Sequence, residues 1–301
     1  MGAWTRRTSE TVTELRHHHI ARGTATGLAV AAAGRSLQRT RTGLIAGVAA
    51  GLVEASVLGR LAKLARDVRN AEDAALVAPL LAPGHVPLGT WAVEPDFLRL
   101  LASELTRDPD GVVELGSGAS TVLMAAVRRD RGGPPVISID HDQAFADRTR
   151  AALARAGLQE HAEIHVAALR PTMVDGREVV WYDRQALEPA LPRQIDLLVV
   201  DGPPATTRRA RWPAVELLSE RLGERCVVLL DDGRRRDETV TAKLWARGHP
   251  NLALFWHDTV KGTWRLEGTP QVDGRALRLA RLGIDAIDAH PAGFGRWPVR
   301  R

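Results

Sequence analysis

Cysteine occurs once in this sequence, at Cys226, so no disulfide can form within the chain. The residue sits in an apolar run that continues to Leu230, which predicts a buried structural thiol and suits a reducing cytoplasm. Lysine is nearly as scarce, present only at Lys63, Lys243 and Lys261, so the positive charge is carried by arginine. No apolar run reaches the roughly 20 residues that a bilayer-spanning helix needs. The longest, residues 43–59, is interrupted by Glu54 and has arginines on both sides. The start of the chain is polar and the apolar stretch 28–34 is short, so no cleavable export signal is expected. Basic residues are not interleaved with aromatics, and nucleic acid is not an expected partner.

The 301 residues are 45% apolar and 26% charged, a balance that allows one large α/β domain with an appendage and excludes a disordered or fibrous chain. The net charge of +5 is unevenly placed. Residues 1–70 carry eleven arginines and lysines against four acids, a surface suited to anionic lipid or an acidic partner. Within 43–59 and just beyond it, Leu44, Val48, Leu52, Ala55 and Leu61 fall near helical spacing, so a helix with one apolar face is expected there. Such a face packs on protein or lies on a membrane surface; a true span is the alternative. His17, His18 and His19 are adjacent and cannot converge on one ion from a helix.

Beyond Asp110 the pattern changes to short β-branched runs separated by helical stretches, the mark of a parallel sheet covered by helices. Strands are predicted at 112–115, 136–140, 163–166, 195–201, 227–231 and 252–256, and helices at 120–129, 143–156, 208–222 and 235–247. A last strand, 262–266, lies too close to its predecessor for a parallel return and must form an antiparallel hairpin. The tail holds one short helical pattern, 275–282.

Chemistry concentrates at the C-terminal ends of these strands. Glu114-x-Gly116-Ser117-Gly118-x-Ser120-Thr121 places a glycine turn between a buried strand and a helix, where free N–H groups can meet an anionic group. A dinucleotide fingerprint wants a third glycine where this chain has Thr121. Asp140 ends the second strand, and an acid there can accept both hydroxyls of a ribose, which implies an adenosine-bearing ligand. Nicotinamide and sulfonium cofactors both satisfy that. Asp142 fits better as the cap of the next helix. Further acids end the fourth strand (Asp201) and the fifth (Asp231, Asp232).

Glu114-x-Gly116-x-Gly118 followed by Asp140 resembles the first motifs of class I S-adenosylmethionine (SAM)-dependent methyltransferases, with Ser120 where many members have a third glycine. The resemblance extends through Asp201-Gly202-Pro203-Pro204, Asp231-Asp232-Gly233, Trp91 to Leu98, Trp181-Tyr182-Asp183 and Arg211-Trp212-Pro213-Ala214, and covers roughly residues 88–266. It points to a bacterial subfamily of poorly defined substrate. It implies a Rossmann-like α/β fold, a mainly parallel seven-stranded sheet with an antiparallel last strand, here with an α-helical N-terminal extension. The division expected is an extension over 1–87, a SAM-binding domain over 88–267 and a tail over 268–301.

The resemblance also implies roles. Glu114 holds the methionine ammonium, the turn of Gly116, Ser117 and Gly118 passes beside the cofactor toward Ser120 and Thr121, Asp140 grips the ribose, and His141 borders the adenine. Asp201 and Asp232 face the transferred methyl and the acceptor, a small molecule or glycan. Asp201, Asp231 and Asp232 could meet around Mg²⁺ or another divalent cation, as acids at these strand ends do in the similar cation-dependent O-methyltransferases. Those enzymes also use an asparagine where this chain has Asp232 or Gly233. His257 is a candidate base, while Trp256 and Trp264 are expected to pack. The rival readings are a nicotinamide-dependent oxidoreductase and a non-catalytic, membrane-peripheral binding protein that keeps the fold.

Overall fold

The computed structural model describes residues 41–84, 93–204 and 209–268, with 41–55 given as backbone alone. The histidine triplet, Trp91 and the helical pattern at 275–282 lie outside the described residues. The chain divides into two compact units between Val68 and Arg69.

The first unit contributes most of helix α1, Arg41–Leu81, which includes and outruns the apolar stretch 43–59. Along its middle Val57, Leu61, Leu64 and Val68 recur at helical spacing and are exposed. Among the described residues no helix is long and apolar enough to cross a membrane.

In the second unit the end of α1 and helix α2, Pro95–Leu105, begin the fold. Asn70 ties them together, donating from Nδ2 to Glu94 at 3.0 Å and accepting from the backbone N–H of Asp96 at 2.9 Å. The α/β series follows as β1 (Val112–Leu115), α3 (Ala119–Arg131), β2 (Val136–Asp140), α4 (Gln143–Ala156) and β3 (Ala162–Val166). Next come β4 (Leu169–Val174), β5 (Arg177–Tyr182), α5 (Arg184–Leu187), β6 (Ile195–Val200) and α6 (Pro213–Leu218). The series closes with β7 (Leu222–Leu230), α7 (Arg236–Gly248), β8 (Leu252–His257) and β9 (Thr263–Gly268).

The sheet order is β3-β2-β1-β6-β7-β9-β8, with β9 antiparallel to both neighbours and the other pairings parallel. The expected seven-stranded sheet with its reversed last strand is therefore present. Alternate strand residues feed two cores, as the two-residue period of a strand requires. Val112, Val136, Leu197, Val199 and Leu229 pack with α2, α3, α4 and the end of α1, including Val77 and Leu81. Val113, Leu115, Leu198, Val200, Val228 and Leu230 pack on the other face with Trp181, Tyr182, Trp212 and Trp245. Cys226 lies in the second core, its thiol pushed up to about 11 by burial, as a structural thiol should be.

Two features depart from the sequence expectation. The segment after β3 forms a separate two-stranded hairpin, β4–β5, which no pattern reading had placed. Its turn is Asp175-Gly176, both with positive φ (46° and 71°), the two-residue connection that right-twisted strands favour. The helix expected at 208–222 is shorter, Pro213–Leu218, because Pro213 starts it and the chain passes through a 3₁₀ turn directly into β7.

Candidate active site

The strand order reverses between β1 and β6, and the C-terminal ends of such neighbouring strands leave a crevice in which open α/β sheets bind ligands. Asp140, Glu114, Asp201 and Asp231 lie in or just beyond β2, β1, β6 and β7, four successive strands of the sheet, so the topology sets a row of carboxylates along this edge.

At its centre the chain passes very close to itself. Gly116 adopts φ +99°, and a Cβ there would lie 3.0 Å from the backbone nitrogen of Gly202. A Cβ at Gly202 would lie 2.5 Å from the Tyr182 hydroxyl oxygen. The backbone N–H of Gly202 donates to Leu115 O at 2.6 Å, so the two loops are locked together and neither position admits a side chain.

Glu114 is fully buried. Its Oε2 accepts from Thr121 Oγ1 at 2.5 Å and from Ser138 Oγ at 2.7 Å, while Thr121 Oγ1 accepts from the Gly118 N–H at 2.9 Å. Ser120 adds a further hydroxyl to this carboxyl. Thr121 and Ser138 thus turn toward Glu114 and fix it. Oε1 has no hydrogen-bond partner among the described residues. Burial pushes the Glu114 carboxyl up to about 7, against the pull of its three hydroxyl partners.

Asp140 accepts the backbone N–H and the hydroxyl of Ser117 on Oδ2 at 2.9 and 2.5 Å, and the Asp142 N–H on Oδ1 at 3.0 Å. The Ser117 hydroxyl occupies the kind of place that a sugar hydroxyl takes on such an acid. His141 Nδ1 stands 3.3 Å from Asp140 Oδ1. Asp142 caps α4 through the N–H groups of Ala144 and Phe145, as its place before the helix predicts.

Asp201, Asp231 and Asp232 converge, with a carboxylate oxygen from each within 4.8 Å of the others. Adjacent residues on an extended strand point oppositely, but β7 ends at Leu230 and Asp232 takes a left-handed conformation, φ +57°, which turns both acids into one place. The turn is held by the β8–β9 loop, where Gly233 donates to Gly262 O at 2.7 Å and Arg234 to Lys261 O at 2.9 Å.

Arg211 enters this group with its side chain 5% exposed. Nη2 is 3.2 Å from Asp201 Oδ1 and 2.9 Å from Asp232 Oδ2, and Nη1 donates to Asp231 O at 3.1 Å. Both oxygens of Asp231 are buried without a partner among the described residues. Burial pushes the carboxyls of Asp201 and Asp231 up; Arg211 opposes this at Asp201, whereas the neighbouring acids Asp201 and Asp232 add to it at Asp231.

Two residues of this edge escaped the sequence reading as site members. In the sequence Arg211 belongs only to the four-residue resemblance Arg211-Trp212-Pro213-Ala214; its charge partners lie 10 and 21 positions away, beyond any local pattern. Tyr182 is fully buried at the end of β5, its hydroxyl without a hydrogen-bond partner among the described residues. Burial raises its pKa, and Asp140, Arg211, Asp201 and Glu114 are the charged groups that act on it. It packs edge-to-face on Trp181 at 5.4 Å. The Asp-Gly turn signal could have revealed the hairpin, though not where its end would lie. His257 has Arg265 and Glu104 as its charged neighbours, and the structure does not bring it to the carboxylate row. Trp256 and Trp264 pack on each other at 4.7 Å, and Trp264 donates to Gly233 O, as expected of packing residues.

Residues 113–233, from β1 to the turn after β7, match the family model described as a methyltransferase domain. Similar solved structures include the O-methyltransferase from Bacillus cereus in complex with SAH, 15% identical, covering 66% of this chain and 91% of that one with a TM-score of 0.46. Another is the O-methyltransferase from Streptomyces achromogenes involved in tomaymycin synthesis, solved with SAM; it is 17% identical, covering 60% of this chain and 82% of that one with a TM-score of 0.44. No curated protein matches the chain. The matched segment carries Glu114, the glycine turn, Asp140 and the three aspartates, and the class I methyltransferase resemblance read from those residues holds.

Proposed function

We propose that this methyltransferase domain transfers a methyl group from SAM to an oxygen of a small molecule or glycan. The observation that carries the reading is the carboxylate row along one sheet edge, Asp140 on β2, Glu114 on β1 and Asp201 just beyond β6, around the Gly116–Gly202 contact. Two buried polar atoms without partners among the described residues, Glu114 Oε1 and the Tyr182 hydroxyl, fit a polar ligand in that crevice, because leaving such groups bare costs about 1–3 kcal/mol each. When bound, SAM supplies an electrophilic methyl on a sulfonium. Asp140 accepts the ribose hydroxyls as Ser117 gives way, Glu114 faces the cationic methionine end, and the turn at Gly118, where a Cβ would meet nothing within 4 Å, leaves room for close approach. Asp201 and Asp232 face the acceptor, where Asp201 orients its hydroxyl and accepts the proton. Positioning of this kind accounts for most of the rate in a direct displacement.

A divalent cation is the other ligand that three converging aspartates would suit. Two of the three already share one guanidinium, so a metal would have to compete with a fixed positive charge for Asp201 and Asp232. Calorimetric titration with SAM, SAH and NAD, each with and without Mg²⁺, tests the reading. Micromolar SAH binding with no NAD binding is expected; the reverse would establish the oxidoreductase, and no binding of any of them the non-catalytic protein.

Glu114 gives the cofactor site a pH dependence. Burial raises its folded-state value, so the neutral carboxyl is the stabilising form: its contribution is full below the unfolded value of 4.5 and is lost as pH rises through about 7. A cationic ligand beside it favours the ionised form and releases a proton on binding. SAM affinity should therefore rise between about pH 6 and 8 and then level off, and Glu114→Gln should flatten the rise. Calorimetry in buffers of different ionisation enthalpy reads the released proton directly. A pH-independent affinity in the native protein would remove Glu114 from the cofactor.

The basic extension is proposed to rest on an anionic membrane at the cytoplasmic face, its exposed Val57, Leu61, Leu64 and Val68 meeting the interface beside Arg60 and Lys63. Deleting residues 1–68 keeps Asn70 and its ties to α2. The deletion should leave SAH affinity within about twofold and abolish sedimentation with phosphatidylserine vesicles. Equal pelleting of both proteins would mean that this helix face serves protein packing.

A further inference from the structure

We propose that the guanidinium of Arg211 is the resident cation of the acid group at the ends of β6 and β7, standing where a divalent ion would otherwise be held. Its Nη2 bridges Asp201 Oδ1 and Asp232 Oδ2 at 3.2 and 2.9 Å, and its Nη1 reaches the backbone oxygen of Asp231 at 3.1 Å and Glu238 Oε1 at 3.9 Å. One planar donor group thus touches three successive features of the edge and fixes their separation. A divalent ion binds carboxylate oxygens at about 2.0–2.6 Å and would have to share Asp201 and Asp232 with this guanidinium, at the cost of bringing two cations together.

The surroundings make the replacement self-consistent. Arg235 Nη1 meets the same Asp232 Oδ2 at 2.7 Å, and Lys261 acts on both Asp201 and Asp231. Four acids, Asp201, Asp231, Asp232 and Glu238, stand against Arg211, Arg235 and Lys261. Removing Arg211 deletes a cation that meets the carboxylates of Asp201, Asp232 and Glu238 and leaves an acid cluster around the bare oxygens of Asp231, the donor set a hard dication prefers. Arginine does not lose its proton in proteins, so this cation is present at every working pH. Arg211 is then a positioning residue: it holds Asp201 in register with the crevice through Oδ1 and leaves Oδ2 outside the pair.

The inference rests on reading this edge as the acceptor side, but its test needs no turnover. Mn²⁺ binding by electron paramagnetic resonance and thermal midpoint with and without Mn²⁺ are measured for the full chain, Arg211→Lys, Arg211→Gln and Arg211→Gln/Asp231→Asn. The native chain and Arg211→Lys should bind no Mn²⁺ at about 1 mM and keep their midpoints. Arg211→Gln should melt lower in chelator, bind Mn²⁺ at least about 10-fold more tightly than the native chain, and regain several degrees with it, since a ligand that binds only the folded state stabilises it. Asp231→Asn in that background should abolish the gain. A structural arginine alone would lower the midpoint without creating a metal site. Sub-millimolar Mn²⁺ binding by the native chain, lost in Asp231→Asn, would overturn the proposal even if Arg211→Gln fails to fold. So would a folded Arg211→Gln that ignores Mn²⁺. SAH titration of the same samples reports separately on the cofactor reading.

Discussion

Asp201→Asn is expected to lower turnover by roughly 10²-fold or more, while SAH affinity changes by less than about tenfold. Asparagine keeps the size of the side chain and an oxygen that can still accept from Arg211 Nη2, now 3.2 Å from Asp201 Oδ1, so the fold of the edge should survive. It loses the negative charge and the ability to take a hydroxyl proton. Burial already holds this carboxyl above the usual carboxylate range, with Arg211 pulling the other way, and a raised carboxyl is a better proton acceptor than a free one. The loss should fall on kcat more than on KM, because orientation and proton transfer develop in the transition state. If turnover also depends on Mg²⁺, and Asp231→Asn or Asp232→Asn removes the dependence, the acids act through a metal and Arg211 has been misplaced. Near-native turnover in Asp201→Asn would put the acceptor elsewhere along the edge.

Asp140→Ala should weaken SAH binding by about 1.5–3 kcal/mol, on the order of 10- to 150-fold, the scale of charge-assisted hydrogen bonds to a pair of ribose hydroxyls. In the free protein the same carboxylate accepts Ser117 N–H, Ser117 Oγ and Asp142 N–H, so the alanine variant also frees the glycine turn. Ser117→Ala separates the two effects. It removes the hydroxyl that occupies Oδ2 while sparing the acid, and it should bind SAH as well as the native protein or better. If Ser117→Ala were as damaging as Asp140→Ala, the acid would serve the turn and not the sugar.

The extent to which each part could be read in advance follows from how local its cause is. The strand beginning at Val112, the glycine turn, the helix after it and Asp140 at the end of the next strand are set by residues within about 30 positions, and the structure has them where the pattern put them. The reversal of the last strand was also legible, because the short loop from His257 to Thr263 leaves no room for a crossover. The hairpin around Asp175-Gly176 was missed although its turn carries a local signal, since the run Val179 to Tyr182 reads equally as a buried segment of any kind.

What the tertiary structure alone decided is which distant side chains share a charge and which stay bare. That Asp231 and Asp232 face one place depends on a left-handed residue held by the β8–β9 loop. That Arg211 lies between Asp201 and Asp232 depends on the short run from Trp212 into α6 and on the pairing of β6 with β7. Tyr182 reaches the Gly116–Gly202 contact only because the hairpin folds back into the core beneath the sheet. The sequence by itself determined the alternation of strands and helices, the glycine turn and the acids available, because hydrophobic period and turn chemistry act over a few residues. Electrostatic partnership acts through space over a few ångströms, and the chain brings those groups within range only after the sheet has closed.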